Sequence, residues 1–443
     1  MVTYTEQDYL NAQRYHALAR IYRTIETILF FFILAFFSGA IVGIVFPHPP
    51  SDAIVPDNPL ARVLWFPVYG LVILLSIRSL PQTIRAVAFT PLIIMCVLWM
   101  GLTVLWSELP DVTFRRSIAL MMGTVLGFVL AARYDWGQLV QRVAFVFVLL
   151  AVITLLMAIL QPGKAIMQDI HAGAWRGPWV EKNYLGGNMV KGLAAAMCAY
   201  AMRPDRWWFW IPGGLLCFFL VIMSTSKTAL MAAILAILLF IAIRIFRRFP
   251  ILRIPLMYFS IMGIAIFTLA VVVFPEEMFG LIGKDPTLTG RTDIWALLQE
   301  SIKERWVLGY GYGAYWQEEL GPSFKVRNAL EWGVPTAHNG WMEIWLSGGV
   351  VIVALFGVHY LVSLMFAINR LGRGGVESYW AIIWMALFFF FSMSESTILA
   401  QNDITWAIFV ATSAKLWSFE QPYWRDRRRV PLYMTNRYGK DWR

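Results

Sequence analysis

Residues 207–243 read WWFWIPGGLLCFFLVIMSTSKTALMAAILAILLFIAI. As one helix, at about 1.5 Å per residue, this run would be about 55 Å long, against roughly 30 Å for the hydrocarbon core of a bilayer. It must break, and Ser224-Thr225-Ser226-Lys227-Thr228 is the only natural place. The stretch therefore reads as two membrane-crossing helices, 207–223 and 227–243, joined by a tight polar turn. Working outward, further apolar runs lie at 24–46, 61–77, 86–106, 115–132, 140–160, 184–201, 254–274, 341–367, 378–394 and 402–417. The expectation is an all-α polytopic membrane protein of about 12 transmembrane helices.

Composition agrees. Of 443 residues, 59% are hydrophobic and 14% are charged, and the mean hydropathy is +0.62. A soluble globular chain is about 45–50% apolar and about 25% charged. An ordinary soluble enzyme, a disordered chain and a coiled coil are excluded. A membrane β-barrel would alternate with period two in segments of about 10 residues, and the long unbroken apolar runs do not. Cys96, Cys198 and Cys217 all lie in apolar runs without metal-ligand spacing and read as packed helix residues.

The net charge of +10 does not call for a nucleic acid. No nucleic-acid-binding motif is present, and most basic residues flank apolar runs, where they set topology. With the N-terminus in the cytoplasm, the inner segments carry Arg14, Arg20, Arg23, Arg78, Arg85, Arg133, Arg142, Arg203, Arg206, Arg244, Arg247, Arg248, Arg253, Arg370 and Arg373. An even number of spans then leaves both termini inside. Residues 1–23 form a cytoplasmic segment followed by a retained first span, 24–418 the transmembrane domain, 275–340 a large outer loop within it, and 419–443 a basic cytoplasmic tail.

The outer basic residues break the topology rule and are clustered. Arg115 and Arg116 end one span. Lys164, Arg176 and Lys182 lie in the loop 161–183, and Lys227 in the tight turn. Lys284, Arg291, Lys303, Arg305, Lys325 and Arg327 share the long loop. A secondary transporter would instead show internal repeats, matched broken helices and ionisable groups near the midplane. No repeat is evident, and the span middles read as nearly free of charge. Polar residues gathered at one face suit an active site at the lipid–water boundary, with a transporter or flippase as the rival.

Within the long loop, Ile294, Leu297, Leu298 and Ile302 recur at helical spacing, with Thr289 or Thr292 as the cap. Arg291 then stands at a helix N-terminus, where free N–H groups and a guanidinium converge on an anion. Gly309-Tyr310-Gly311-Tyr312-Gly313 follows. It does not follow a strand, so it is no dinucleotide fingerprint. Its aromatics either stack on sugar rings or rest at the membrane interface. Next, Thr336-Ala337-His338-Asn339-Gly340 leads into a span containing Gly348-Gly349. An unperturbed imidazole titrates near pH 6.5 and can take a proton at neutral pH, which makes His338 a candidate base. Glu343 and Glu395 are candidate hydrogen-bond partners near the outer membrane ends.

Three elements recur here in order: Gly-Arg-x-x-x-Trp (290–295), the Gly-Tyr-Gly turn, and His338-Asn339 before the paired glycines. With Arg176-Gly177, Glu181-Lys182-Asn183-Tyr184-Leu185-Gly186 and the Ser224–Thr228 turn, they resemble the O-antigen ligase and Wzy-type polysaccharide polymerase superfamily. The resemblance implies a GT-C-like, metal-independent, inverting glycosyltransferase of the bacterial inner membrane, with no cofactor. Its donor would be a glycan on undecaprenyl pyrophosphate, its acceptor a sugar hydroxyl, and its loop and active site periplasmic. Arg291 then matches the pyrophosphate-holding arginine and His338 the histidine that activates or orients the acceptor, the two catalytic positions. Lys227, Arg176, Lys182, Asn183, Tyr312, Asn339 and Glu343 would bind pyrophosphate or glycan. The family often has arginine where this chain has Lys227, so the charge is kept and the bidentate fork is lost. Lysine here resembles the ExoQ-type exopolysaccharide polymerases, which favours a polymerase over a ligase acting on lipid A core. A chain-length regulator is a partner that the family implies.

No Asp-x-Asp pair or ligand cluster suggests a metal. Turnover is expected to survive EDTA; a loss restored by adding a divalent cation would overturn the metal-free expectation.

Overall fold

The computed structural model describes residues 6–46, 59–168, 171–249, 251, 291–317, 321–330 and 333–418. Among them are sixteen α-helices and no β-strand, apart from one isolated bridge between Ile166 and Trp175. In order these are α1 (Glu6–Phe37), α2 (Ala40–Val45), α3 (Pro59–Arg78), α4 (Leu80–Ala88), α5 (Pro91–Leu102), α6 (Pro110–Arg133), α7 (Trp136–Leu160) and α8 (Pro162–Ala165). Then come α9 (Lys182–Met202), α10 (Trp207–Met223), α11 (Lys227–Arg248), α12 (Arg291–Glu304), α13 (Phe324–Leu330), α14 (Gly340–Gly372), α15 (Ser378–Ser392) and α16 (Ile404–Trp417).

The expected break of the 207–243 run is where the polar turn placed it. Helix α10 ends at Met223 and α11 starts at Lys227. Ser226 is the N-cap of α11, its hydroxyl accepting from Ala229 N at 3.4 Å. The sides of α11 show what its surroundings are. Ala229, Ala232, Ala233 and Ala236 are buried, while Leu230, Ile234, Leu238 and Ile241 are exposed. Small residues let backbones approach within a membrane, and large apolar ones meet the lipid. Gly186 of α9 lies against this face, where a Cβ would come within 2.6 Å of Ala229 Cβ.

Helices α9 and α16 form the centre. All residues of α16 from Ile404 to Leu416 are buried, as is α9 from Leu185 to Ala196. A helix apolar on every side belongs inside a bundle. Gly127 of α6 permits a close crossing with α16, since a Cβ there would stand 2.7 Å from Ala407 O.

Among the described residues, six helices are long and apolar enough to cross a membrane, or seven if α4 and α5 with its continuation count as one bent span; α15 and α16 are shorter apolar helices. The chain is thus a helical, multi-pass membrane protein; the expected count of about twelve includes the run 254–274, which lies outside the described residues. Three expectations need correction. The 24–46 run is two helices, because Gly39 takes φ 78° between α1 and α2. The 86–106 run is not one helix: its chain bends by 89° between α4 and α5. Pro91 supplies no N–H and disfavours helical backbone in the residue before it. The span middles also carry a charge that the sequence reading passed over, since Lys191 is buried within α9. The expected span 254–274, residues 275–290 of the outer loop and the tail 419–443 lie outside the described residues.

The described part of the long loop has its own small core, comprising Ile294, Leu298, Tyr310, Tyr315, Trp316, Val326, Val334, Ala337 and Leu346. It is joined to the bundle at a break in α14. There Gly348 and Gly349 leave helical geometry, Gly349 at φ 72° and ψ −169°. That region is essentially restricted to glycine. The carbonyls freed by the break accept from the glycine-rich turn: Tyr310 N reaches Leu346 O at 2.7 Å and Gly311 N reaches Ser347 O at 3.0 Å. Trp99 Nε1 donates to Gly348 O at 2.8 Å, and Val350 N donates to Trp306 O at 2.8 Å.

A Cβ on Gly349 would stand 1.8 Å from Val307 O. Gly349→Ala is therefore expected to destabilise the protein by about 2 kcal/mol or more, from strain in that backbone region alone. Thermal unfolding in detergent checks this; an unchanged midpoint would show that the break tolerates a side chain.

Candidate active site

The three segments that the sequence singled out meet at the loop end of the bundle, with a fourth that it did not stress. Arg291 is the first described residue of α12, and residue 290 before it lies outside the described residues. Thr292 lies inside the helix and is not its cap, and Thr289 lies outside the described residues. The guanidinium does not point freely into solvent. Its Nη1 donates to Ser394 O at 2.8 Å, and its Nη2 lies 3.5 Å from Glu395 Oε1. The other oxygen of the same carboxylate lies 3.8 Å from His338 Nδ1. Glu395 thus stands between the two predicted catalytic residues. Its side chain retains 29% exposure, Arg291 16% and His338 22%, so the cluster is sheltered but reachable. His338 Nδ1 is buried and makes no hydrogen bond.

His338 is held there by its neighbours. Its backbone is left-handed, φ 48°. Asn339 follows as the N-cap of α14, its Oδ1 accepting from Trp341 N at 3.0 Å and Met342 N at 3.2 Å. Trp295 Nε1 of α12 donates to Ala337 O at 2.9 Å, fixing the distance between the Arg291 helix and the histidine loop.

Glu343 is the rivet. Its carboxylate accepts from Ala337 N at 3.0 Å, Trp316 Nε1 at 3.0 Å and Ser396 Oγ at 3.4 Å. One side chain therefore joins the histidine loop, the glycine-rich region and the Glu395 loop to α14. Its acceptor capacity is taken up within the protein. Tyr312 is likewise internal. It is buried, its O–H donates to Leu399 O at 2.6 Å and its N–H donates to Thr103 Oγ1 at 3.0 Å. Tyr310 is buried as well, its hydroxyl donating to Ser301 O at 3.0 Å and Glu304 Oε2 at 3.1 Å. Burial, with Glu304 beside it, raises the Tyr310 phenol above the usual range, and burial pushes Tyr315 up to about 12. The sequence reading offered sugar stacking or the membrane interface; the structure packs Tyr310 and Tyr312 inside the protein.

The remaining predicted residues form a second cluster. Lys182 begins α9 and Lys227 begins α11, and the two helix starts are tied by Ser226 Oγ donating to Asn183 Oδ1 at 2.8 Å. Two positive helix ends, each beginning with a lysine, therefore stand side by side. Burial pulls the Lys182 ammonium below its ordinary range; Glu181 opposes this and the Lys227 charge adds to it. Arg176 is turned to its own loop, its Nε donating to Lys164 O at 2.9 Å. Tyr184, on the first turn of α9, is 58% exposed.

All four non-glycine residues with positive φ among the described residues surround this region: Thr225, His338, Leu399 and Asn402. Such backbone costs of order 1–3 kcal/mol per residue and persists only where its surroundings over-determine it. Two of the four lie in the 393–403 segment with Glu395. Sequence reasoning weighed Glu395 but found no argument for the segment. The available signal was Ser394-Glu395-Ser396, an acid between serines directly after an apolar run.

Residues 212–357 match the family model described as O-Antigen ligase. This stretch contains Lys227, Arg291, Tyr312, His338, Asn339 and Glu343. The chain is also 23% identical over 279 residues to the exopolysaccharide production protein ExoQ of Rhizobium meliloti (strain 1021), an alignment covering 61% of this chain and 63% of that protein. The chain thus spans less than two thirds of the curated relative it matches. These two findings bear out the resemblance read from the motifs, to the O-antigen ligase and Wzy-type polysaccharide polymerase superfamily with an ExoQ-type flavour.

Proposed function

We propose that the protein is a polysaccharide polymerase of the bacterial inner membrane, a metal-independent inverting glycosyltransferase of GT-C-like, 12-span architecture with both termini cytoplasmic. It takes a glycan from undecaprenyl pyrophosphate on the periplasmic face and joins it to an acceptor sugar hydroxyl. The observation that carries this reading is the Glu395 carboxylate lying between Arg291 and His338, at 3.5 and 3.8 Å.

The chemistry suits those groups. The acceptor oxygen forms a bond to the anomeric carbon while the glycosyl–phosphate C–O bond breaks, and the lipid pyrophosphate leaves with the electron pair. The hydroxyl proton passes to the His338 imidazole, and the Glu395 carboxylate stabilises the imidazolium. Negative charge grows on the leaving group, where Arg291 and the paired starts of α9 and α11 can meet it. Lys182 and Lys227 repel each other without a ligand; a pyrophosphate between them would turn that repulsion into binding. Asn183 and Arg176 would complete the anion side, while Tyr312, Asn339 and Glu343 act by holding the loops that carry Arg291, His338 and Glu395. A chain-length regulator in the same membrane fits a polymerase as partner.

The second reading is a ligase acting on lipid A core, in keeping with a family model described as O-Antigen ligase, while the ExoQ relative is described as an exopolysaccharide production protein. Purified protein in nanodiscs, given undecaprenyl-pyrophosphate oligosaccharide alone, separates them. A ladder of lengthening lipid-linked glycans supports the polymerase. Transfer only after a lipid A core acceptor is added supports the ligase, and no transfer in either case returns the transporter reading.

His338→Ala and Arg291→Ala are each expected to lower turnover by about 100-fold or more while the protein stays folded. Near-wild-type product from either would remove these residues from the chemistry. At the helix start, Lys227→Arg is expected to keep more activity than Lys227→Ala; equal behaviour of the two would show that charge at the turn is not used.

A further inference from the structure

Lys191 lies within the central helix α9, with its side chain buried. Its Nζ reaches Asn188 Oδ1 at 3.2 Å, one turn back on α9, and Thr405 Oγ1 at 2.7 Å, on the first turn of α16. The ring of Phe391 stands 5.7 Å away. An amide oxygen, a hydroxyl and an aromatic face are all surroundings for a cation. A charge within a membrane helix is expensive and is kept where it does something. For packing alone, an apolar side chain of the same length would serve better.

The contact with Thr405 bears on the segment that precedes α16. Thr405 closes the stretch that begins at Ser394 and carries Glu395. Elsewhere that stretch is held by Arg291 at Ser394 O, by Tyr312 at Leu399 O and by Tyr69, whose O–H donates to Asn402 Oδ1 at 2.7 Å. Leu399 and Asn402 within it carry left-handed backbone, so the segment does not hold this shape by local preference. Lys191 supplies the tie to α9, the helix whose first turn bears Lys182 and Asn183.

We propose that Lys191 is a positioning residue: its ammonium pins residues 394–405 against α9 and so holds Glu395 between Arg291 and His338. The proposal rests on the function given above for that cluster, and its test separates the two. Wild-type protein, Lys191→Met and Lys191→Arg are compared in phospholipid nanodiscs. Hydrogen exchange of peptides covering 394–405 is read without substrate, and kcat and KM are read with undecaprenyl-pyrophosphate oligosaccharide.

In Lys191→Met, exchange across 394–405 is expected to rise by about tenfold or more, while peptides of α10 stay unchanged. Its kcat is expected to fall by about tenfold or more, since small misplacements of reacting groups cost that much, with KM for the donor near wild type. Lys191→Arg is expected to recover most of both. Unchanged exchange in Lys191→Met overturns the proposal, and so does a change in KM alone or a failure of arginine to rescue. If wild-type protein turns over no lipid-linked glycan, the functional reading fails while the exchange result still decides the tie. If Lys191→Met does not fold, Thr405→Val removes the same hydrogen bond; the same loosening and kcat loss support the proposal, and their absence overturns it.

Discussion

The break in α14 at Gly348-Gly349 is the constraint on which the rest depends. A broken helix inside a membrane bundle leaves backbone carbonyls and an N–H without helical partners, each costing about 1–3 kcal/mol if buried unpaired. Here the Gly309–Gly313 turn and Trp99 take up the carbonyls of Leu346, Ser347 and Gly348, and Trp306 O takes up the N–H of Val350. The glycine-rich turn and the paired glycines, nearly forty residues apart in the chain, are thus two halves of one joint. Positive φ at Gly309, Gly311 and Gly313 lets the turn lie this close, with a Cβ on Gly309 falling 2.6 Å from Leu346 O. Their appearance together in the sequence has a mechanical cause.

From that joint the remainder follows. Docking the turn brings Trp316 to Glu343, and Glu343 holds the backbone before His338 on one side and Ser396 on the other. The loop before α14 and the loop before α16 are then fixed relative to each other. That places His338 opposite Glu395, while Trp295 brings the start of α12, with Arg291, to the same carboxylate. Tyr312, Asn339 and Glu343, expected from the sequence to bind pyrophosphate or glycan, help to hold this geometry through hydrogen bonds within the protein. The left-handed backbone at Thr225, His338, Leu399 and Asn402 is the strain that such a scaffold sustains.

The opposite end of the bundle is tied by other means. Buried Arg370 pairs with buried Glu377 at 3.4 Å, and Lys415 donates to Tyr134 O at 2.8 Å at the end of α6. The loop end carries its cations differently: Lys182 and Lys227 open two helices joined by the Ser226–Asn183 hydrogen bond, and Arg291 shares its carboxylate with His338.

Much of this was legible in the sequence. Helical period, run length and the polar Ser224–Thr228 turn determined a helical membrane bundle and the split between α10 and α11, because a helix of fixed rise cannot cross a bilayer with so long an apolar run. Order and spacing of the motifs picked out Arg291 and His338. What the tertiary structure decided were the features that depend on left-handed backbone and on contacts between distant segments. The bend between α4 and α5 and the break at Gly39 lie inside apolar runs, where hydropathy is blind to dihedral angles. Glu395 is an acid between serines and Lys191 a single charge within an apolar run, and only packing shows what each one touches. Burial separated Tyr312 from an open aromatic platform, because the same residue type serves in a core or at a binding surface and hydrophobic pattern does not tell them apart.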